Sequence, residues 1–150
     1  MTYKSILTVR SSRDGTTTAL DQAVELVKRN DGHLEVLCLG VDRTRTGYYD
    51  ATVAAVAITS LLENARAEMQ EIATDTTERL KASGVPFAVA SALVPLGDLP
   101  RIVGHHARFN DLVVMPLPYR EGQSAEVETI VETALFDARC PVLVVPRSER

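Results

Sequence analysis

The sequence predicts an α/β fold: one doubly wound sheet of five parallel strands in three α/β/α layers, with strand order 3-2-1-4-5. Short apolar runs alternate with helix-like segments along the whole chain, and this alternation favours parallel pairing through right-handed crossovers. The apolar runs are nearly continuous, as in strands that helices cover on both faces. Because no linker, repeat or low-complexity segment interrupts its 150 residues, the chain is expected to form one domain, 1–150.

Five strands are predicted where apolar and β-branched residues cluster between turn residues. The first comes within a few residues of the N-terminus and is followed by a polar turn. The fourth and fifth are separated by a polar loop and a helix-like run. The predicted strands are 5–9, 34–41, 87–94, 112–115 and 142–145.

Four helices are predicted between these strands from apolar residues at helical spacing. The first ends at Asp31-Gly32, and the second is a long helix over 53–83 that Gly84 ends. The third begins near Gly97, with Asp98 as acceptor and a proline in its first turn, and runs to about Phe109. The apolar stripe of the long helix includes Val56, Ile58, Leu61, Leu62, Ala65, Met69, Ile72 and Leu80, and the last helix, 125–138, should turn Val127, Ile130, Val131, Ala134 and Leu135 inward.

Composition excludes several classes of function. The net charge of −4 and a pI near 5.4 argue against nucleic acid or an anionic membrane as the main partner. No apolar run approaches the roughly 20 residues of a membrane span, and the early first strand leaves no room for a signal peptide. A cytoplasmic protein is therefore expected. Cys38 and Cys140 lie far apart in the sequence and are expected to be buried thiols.

The loop after the fourth strand is the first place to look for a ligand, because such sheets bind ligands at the carboxyl ends of their strands. A phosphate-binding loop there requires glycine, whose backbone N–H can approach the phosphate closely. This loop, 116–123, contains two prolines and one late glycine. The architecture is that of a nucleotide binder, whereas the phosphate-binding chemistry is not.

Segments along nearly the whole chain resemble the universal stress protein family. The opening strand, Gly97-Asp-Leu-Pro, Asp111-Leu-Val-Val-Met and Ala138-Arg-Cys-Pro-Val-Leu-Val-Val are similar to family segments in order and spacing. The resemblance implies the adenine nucleotide alpha hydrolase-like fold. It also implies a choice between two branches, one that binds ATP through glycines and one that does not.

The chain departs from the ATP-binding pattern at each of its positions. Arg10 replaces an Asp after strand one, Pro116 replaces the first glycine, and the second glycine falls near Pro118 or Tyr119. The final Gly-Ser pair corresponds to Glu128-Thr129, so that the hydroxyls of Ser12 and Thr129 remain. No cofactor is therefore expected, and ATP is the alternative. The residues predicted to line this degenerate nucleotide crevice are Arg10, Ser11, Ser12, Val41, Met115, Pro116 and Thr129.

Basic, histidine and aromatic residues offer further candidates. Arg10 and Arg13 are expected to be solvated or paired with Asp14 and Asp42, although they leave anion binding in another pose open. His105 and His106 point about 100° apart on a helix and, with His33, form no metal cluster. No catalytic residues are predicted, because no nucleophile elbow or nearby base accompanies the serines. Tyr48 and Tyr49 are expected to cap the core, or else to cover a ligand or partner.

The last strand is the predicted dimer interface. An exposed apolar edge aggregates unless something covers it, and a two-fold partner adding the same strand would do so. The resemblance implies this homodimer, through Val142, Leu143, Val144 and Val145. The predicted function is a dimeric, non-catalytic stress-response module that acts on an unidentified protein partner. The alternative is a nucleotide-binding regulatory module with little or no ATPase activity, using Arg10, Ser12 and Thr129.

Overall fold

A computed structural model of the chain describes residues 3–12, 17–42, 51–118 and 125–146, with the side chains of 51–57 outside that description. Its five strands form one sheet in the order β3-β2-β1-β4-β5, and every neighbouring pair is parallel. The fold class and strand order predicted from the sequence are therefore confirmed. The strands are β1 (Ser5–Arg10), β2 (His33–Asp42), β3 (Phe87–Pro95), β4 (Leu112–Pro116) and β5 (Val142–Val145).

Helices connect the strands and cover both faces of the sheet. A short 3₁₀ turn, Leu96–Asp98, precedes the third helix, and a five-residue π turn, Thr133–Asp137, follows the fourth. Within the described residues, none of the helices is both long enough and apolar enough to cross a membrane. The helices are α1 (Thr17–Asn30), α2 (Ala51–Ser83), α3 (Leu99–Ala107) and α4 (Ala125–Glu132).

The alternation of side chains along β1 sets which layer each residue faces. Leu7 and Val9 join the apolar cluster that contains the buried residues of α3 and α4, whereas Ile6 joins the cluster that contains those of α1 and α2. Thr8 and Arg10 follow Ile6 at the strand period of two and are fully buried. The last side chain of β1 is therefore directed into the α1/α2 layer.

Two predictions about helix faces are wrong. Leu135, predicted to face inward, is 42% exposed, because the α-helix ends at Glu132 and the wider π turn shifts this residue out of the apolar stripe, whereas Thr133 and Ala134 of the same turn stay buried. Leu61, predicted to lie in the apolar stripe of α2, is 41% exposed, whereas Ile72 and Leu80 of the same stripe are fully buried. Val56 of that stripe lies outside the described side chains.

Left-handed residues end two helices and bring their strands into place. Asp31 follows α1 with φ 51° and Gly84 follows α2 with φ 77°. Gly32 is required for a different reason: a Cβ at this position would lie 2.6 Å from the carbonyl oxygen of Lys4. The close approach lets the His33 N–H donate to that same carbonyl, which sets the register of β2 against β1.

Candidate functional site

A cleft of about 320 Å³ opens beside the carboxyl ends of β1 and β2, along one face of α2. It lies where the sheet order reverses on either side of β1, the position at which open α/β sheets bind ligands. Its walls combine hydroxyls, an amide and two carboxylates with apolar side chains. The lining residues are Ser11, Ser12, Leu39, Gly40, Val41, Leu61, Asn64, Ala65, Glu68 and Glu126.

Three of the seven predicted crevice residues line this cleft. Ser11, Ser12 and Val41 line the cleft. Met115 is fully buried in the apolar cluster on the α3/α4 side of the sheet. The other three are Arg10, which is fully buried, Pro116, which is buried at the end of β4 beside Val145, and Thr129, whose hydroxyl donates to the Ala125 carbonyl at 3.3 Å.

Arg10 is bound within the protein and is not solvated, so the solvated alternative of the sequence-based expectation is wrong for this residue. Its side chain is 0% exposed, and one guanidinium nitrogen donates to Asp75 Oδ2 at 3.0 Å and to Thr76 Oγ1 at 2.6 Å. Both acceptors belong to α2, some 65 residues away along the chain. Arg13 and Asp14, which the same prediction named, lie outside the described residues.

The network around Arg10 extends in both directions along α2 and β2. Asp75 Oδ2 also accepts from Arg79 at 3.0 Å, and the Thr76 hydroxyl donates to the Ile72 carbonyl at 2.7 Å. Burial alone would raise the pKa of the Asp75 carboxyl, but the hydrogen bonds from the two arginines outweigh it, so this pKa lies below its ordinary value of 3.8. The guanidinium of Arg10 is thereby neutralised at its own site by a carboxylate.

Cys38 completes the network from β2. Its thiol lies 3.7 Å from the Thr76 hydroxyl, and burial raises its pKa above the ordinary value of 9.0. Burial likewise raises the pKa of Cys140, with a further contribution from the charge of Asp111. Both cysteines are free and buried, as predicted.

Among the described residues that line the cleft, the charged side chains are two glutamates, and the sequence analysis did not select either of them. Glu126 is only 6% exposed, although it carries a carboxylate, and it lies in the first turn of α4, where the helix dipole favours an anion. Glu68 lies on α2 and is exposed. The position of Glu126 in the first turn of the last helix, directly after the predicted loop 116–123, was the available signal. A phosphate entering this cleft would meet like charge.

The two histidines of α3 make contacts within the protein. His106 Nδ1 contacts Glu35 Oε1 at 2.6 Å and so ties α3 to β2, while the His105 ring packs edge-on against Phe109. Within the ranges that the structure describes, no group of three or more His, Cys, Asp or Glu side chains could hold a metal ion. Tyr48 and Tyr49 lie outside those ranges, as does most of the loop after β4.

The predicted dimer strand lies at the edge of the sheet. β5 pairs with β4 through all four of its residues, Val142–Val145, and it is the last strand in the order. Leu143 is 39% exposed, Val142 and Val144 are half-buried, and Val145 is buried, with 8% of its surface exposed. An apolar edge is therefore available at the position that the prediction requires.

Comparison with known proteins identifies the fold. No protein-family model and no curated protein matches the sequence. Among solved structures, a universal stress protein from Lactobacillus plantarum superposes with a TM-score of 0.71 at 19% identity, over 97% of this chain and 99% of that one. A protein of the universal stress protein family from Burkholderia pseudomallei gives a TM-score of 0.62 at 25% identity, over 97% of each chain.

A third neighbour carries a ligand. The universal stress protein from Archaeoglobus fulgidus, solved in complex with dAMP, superposes with a TM-score of 0.62 at 14% identity, over 96% of this chain and 98% of that one. The chain therefore has the fold of the universal stress proteins, the adenine nucleotide alpha hydrolase-like fold.

Proposed function

We propose that this chain is a universal stress protein of the branch that does not hold ATP, and that it works in the cytoplasm as a dimeric, non-catalytic stress-response module through contact with a partner protein. The observation that carries the proposal is the charge of the cleft. Glu126 and Glu68 line it, while Arg10 is bound to Asp75 and Thr76 outside its lining. A triphosphate placed there would face carboxylates.

The loop chemistry supports the same proposal. Pro116 and Pro118 are both buried, and proline has no backbone N–H to offer a phosphate. Each charge-assisted hydrogen bond that is lost costs about 1.5–3 kcal/mol, so two lost donors lower the affinity by roughly a hundredfold or more. The exposed edge of β5 supports the dimer, because a second copy of the strand would satisfy its unpaired backbone groups.

Nucleotide binding is the second candidate, and one observation favours it. The cleft lies at the switch point of a fold whose Archaeoglobus fulgidus member was solved with dAMP. Ser11, Ser12 and Asn64 offer hydrogen bonds there, and Leu39 and Val41 offer apolar contact for a base. A monophosphate would suit an acidic cleft better than ATP, because it carries less charge past Glu126.

Ligand retention and calorimetry test the proposal. Mass spectrometry of the purified, denatured protein should show no retained nucleotide. Calorimetric titration with ATP and Mg²⁺ should show no binding with a micromolar dissociation constant. Micromolar ATP binding would overturn the proposal, whereas AMP binding without ATP binding would favour the second candidate.

Matched variants identify the cause of weak binding. Glu126→Gln removes the carboxylate from the cleft, while Glu132→Gln makes the same change on an exposed turn of α4. Pro116→Gly with Glu128→Gly restores two glycines of the ATP-binding pattern. Measurable ATP affinity in Glu126→Gln or in the double-glycine variant, but not in Glu132→Gln, is the expected result.

A further inference from the structure

A second depression lies on the opposite layer of the protein, between α3 and the π turn. Its volume is about 440 Å³, and Arg101, Gly104 and Arg108 line one side while Phe136, Asp137 and Arg139 line the other. The spacing of three and four residues along α3 places its lining positions on one helical face. From Arg101 to Arg108 the groove runs about 10 Å, the length of roughly three residues of extended chain.

The groove is basic in a protein of net charge −4. Three arginines line it against one aspartate. Arg101 Nη2 lies 3.6 Å from Asp98 Oδ2, and both side chains are exposed. Within the part of the chain that the structure describes, Arg108 and Arg139 have no carboxylate within 4.0 Å. Their guanidinium groups are therefore available to a carboxylate from outside.

Arg139 lies just after the π turn in an unfavourable backbone conformation. Its φ is 54°, in the left-handed region where glycine is favoured and other residues lose about 1–2 kcal/mol. The hydrogen bonds that flank it, from Ala138 N–H to Thr133 O at 3.0 Å and from Cys140 N–H to Ala134 O at 2.8 Å, close the π turn. A glycine would be less strained at this position, whereas the arginine places a guanidinium group at the groove.

An apolar wall accompanies the charges. Phe136 is 74% exposed, one of the most exposed large apolar side chains among the described residues. Opposite it, Gly104 has no side chain, which leaves the floor of the groove open between the helix and the π turn. Guanidinium groups beside an exposed ring match a segment that carries both carboxylates and an apolar side chain.

We propose that this groove binds a short acidic segment of a partner protein, with its carboxylates on Arg108 and Arg139 and an apolar side chain against Phe136. The inference rests on the proposed function in that the protein acts through a protein partner, and it assigns the surface and the chemistry of that contact. A nucleic acid fits less well, because its continuous phosphates would meet Asp137 and Asp98 as well as the net negative charge of the chain.

Fluorescence anisotropy of the full chain tests the proposal directly. The probe is a fluorescein-labelled peptide with four glutamates around one leucine, and its counterpart has glutamine in place of each glutamate. The acidic peptide should bind, and its affinity should fall as the salt concentration rises. The glutamine peptide should not bind. Arg108→Gln with Arg139→Gly should weaken binding by at least about tenfold, because each lost charge-assisted contact is worth that much or more.

A control pair separates the groove from general electrostatics. Arg66→Gln with Lys81→Gln removes the same two charges from exposed positions of α2 and should leave binding unchanged. Arg139→Gly alone should raise the melting temperature of the protein and weaken its binding of the acidic peptide. Loss of folding cannot produce both effects together. A third peptide, with glycine in place of the leucine, should bind more weakly than the acidic peptide to the parent protein. Phe136→Ser should abolish this difference.

Three outcomes would overturn the inference: no binding of the acidic peptide, equal loss in both double variants, or equally tight binding of a ten-nucleotide single strand to the same arginines. Retention of ATP by the purified protein would instead overturn the proposed function and leave the peptide result standing. The two failures are therefore distinguishable.

Discussion

A buried arginine shows how one residue can change the character of a whole crevice. Arg10 ends β1 beside the switch point, where a cation could have served an anionic ligand. Its side chain instead lies in the α1/α2 layer on Asp75 and Thr76, and the cleft retains the carboxylates of Glu68 and Glu126. Successive side chains of a strand point to opposite faces of the sheet, so Arg10 lies on the same face as Ile6 and Thr8. This alternation is why its side chain enters the α1/α2 layer.

Asp75 should therefore contribute far more to stability than its neighbours on α2. Asp75→Ala is expected to lower the free energy of unfolding by about 3 kcal/mol, because it leaves the fully buried Arg10 without this carboxylate. Glu78→Ala is the matched control on an exposed turn and should stay within about 0.5 kcal/mol of the parent. Urea unfolding measures both, and similar losses in the two variants would contradict the structural role of the pair.

The same carboxylate predicts a pH dependence with a defined sign. The pKa of Asp75 is lower in the folded protein than its ordinary value of 3.8, so its ionised form stabilises the fold above that value. This contribution is lost as the pH falls through the folded-state pKa. The difference in unfolding free energy between the parent and Asp75→Asn should be constant above about pH 5 and shrink below it. A difference that does not change down to acid unfolding would show that the charge is not involved.

Sequence reasoning located some of these residues and missed others for identifiable reasons. Ser11, Ser12 and Val41 follow or end strands at the switch point, so topology alone places them at the cleft. Asp75 was not selected from the sequence, because the pattern of charges along the long helix does not reveal which of them lies opposite a buried cation. Its partner Arg10 is some 65 residues away, and only the packing of α2 against β1 and β2 brings them together.

At the scale of elements, two glycines show where helices approach the sheet and where they leave room. A Cβ on Gly40 of β2 would lie 2.7 Å from the Ala65 carbonyl oxygen of α2. A Cβ on Gly104 of α3 would meet only Thr133 Cγ2, at an ordinary 3.5 Å. The first glycine is thus required by the approach of α2, and the second is not required by packing.

The two glycines should respond oppositely to the same substitution. Gly40→Ala is expected to destabilise by about 1–3 kcal/mol, since either α2 or β2 must shift. Gly104→Ala is expected to stabilise by up to about 1 kcal/mol, because alanine loses less backbone entropy in a helix. Thermal unfolding followed by circular dichroism compares the variants, and destabilisation by both changes would disprove the assignment for Gly104.

The elements themselves were largely predictable, and the exception has a physical cause. Long apolar runs bounded by turn residues gave every strand to within about a residue or two at each end, which is the usual uncertainty of such boundaries. The π turn after Glu132 was not predictable, because its residues continue a helical pattern and nothing local marks the wider turn. Leu135 was therefore assigned to the wrong face.

At the scale of the whole molecule, the proposed dimer depends on the exposed edge of the sheet. Leu143 on β5 and Leu96 in the 3₁₀ turn are exposed to nearly the same extent, at 39% and 40%. Leu143→Lys should convert a dimer into monomer or insoluble protein, because it places a charge in the proposed interface. Leu96→Lys is the control and should leave the dimer intact. Sedimentation velocity measures both, and a dimer that persists in Leu143→Lys would exclude β5 as the interface.

The central place of β1 has a consequence for how the chain is made. β1 is the first strand to be synthesised, yet one of its two neighbours is β4, and the Thr8 hydroxyl bonds to a carbonyl 106 residues later. At about 5–20 residues per second, on the order of 5–20 s pass between the two strands during translation. A nascent chain that ends before β4 therefore exposes one edge of its central strand. We expect protease resistance on the ribosome to arise only after β4 has emerged, so that the decisive step of folding follows the synthesis of this strand.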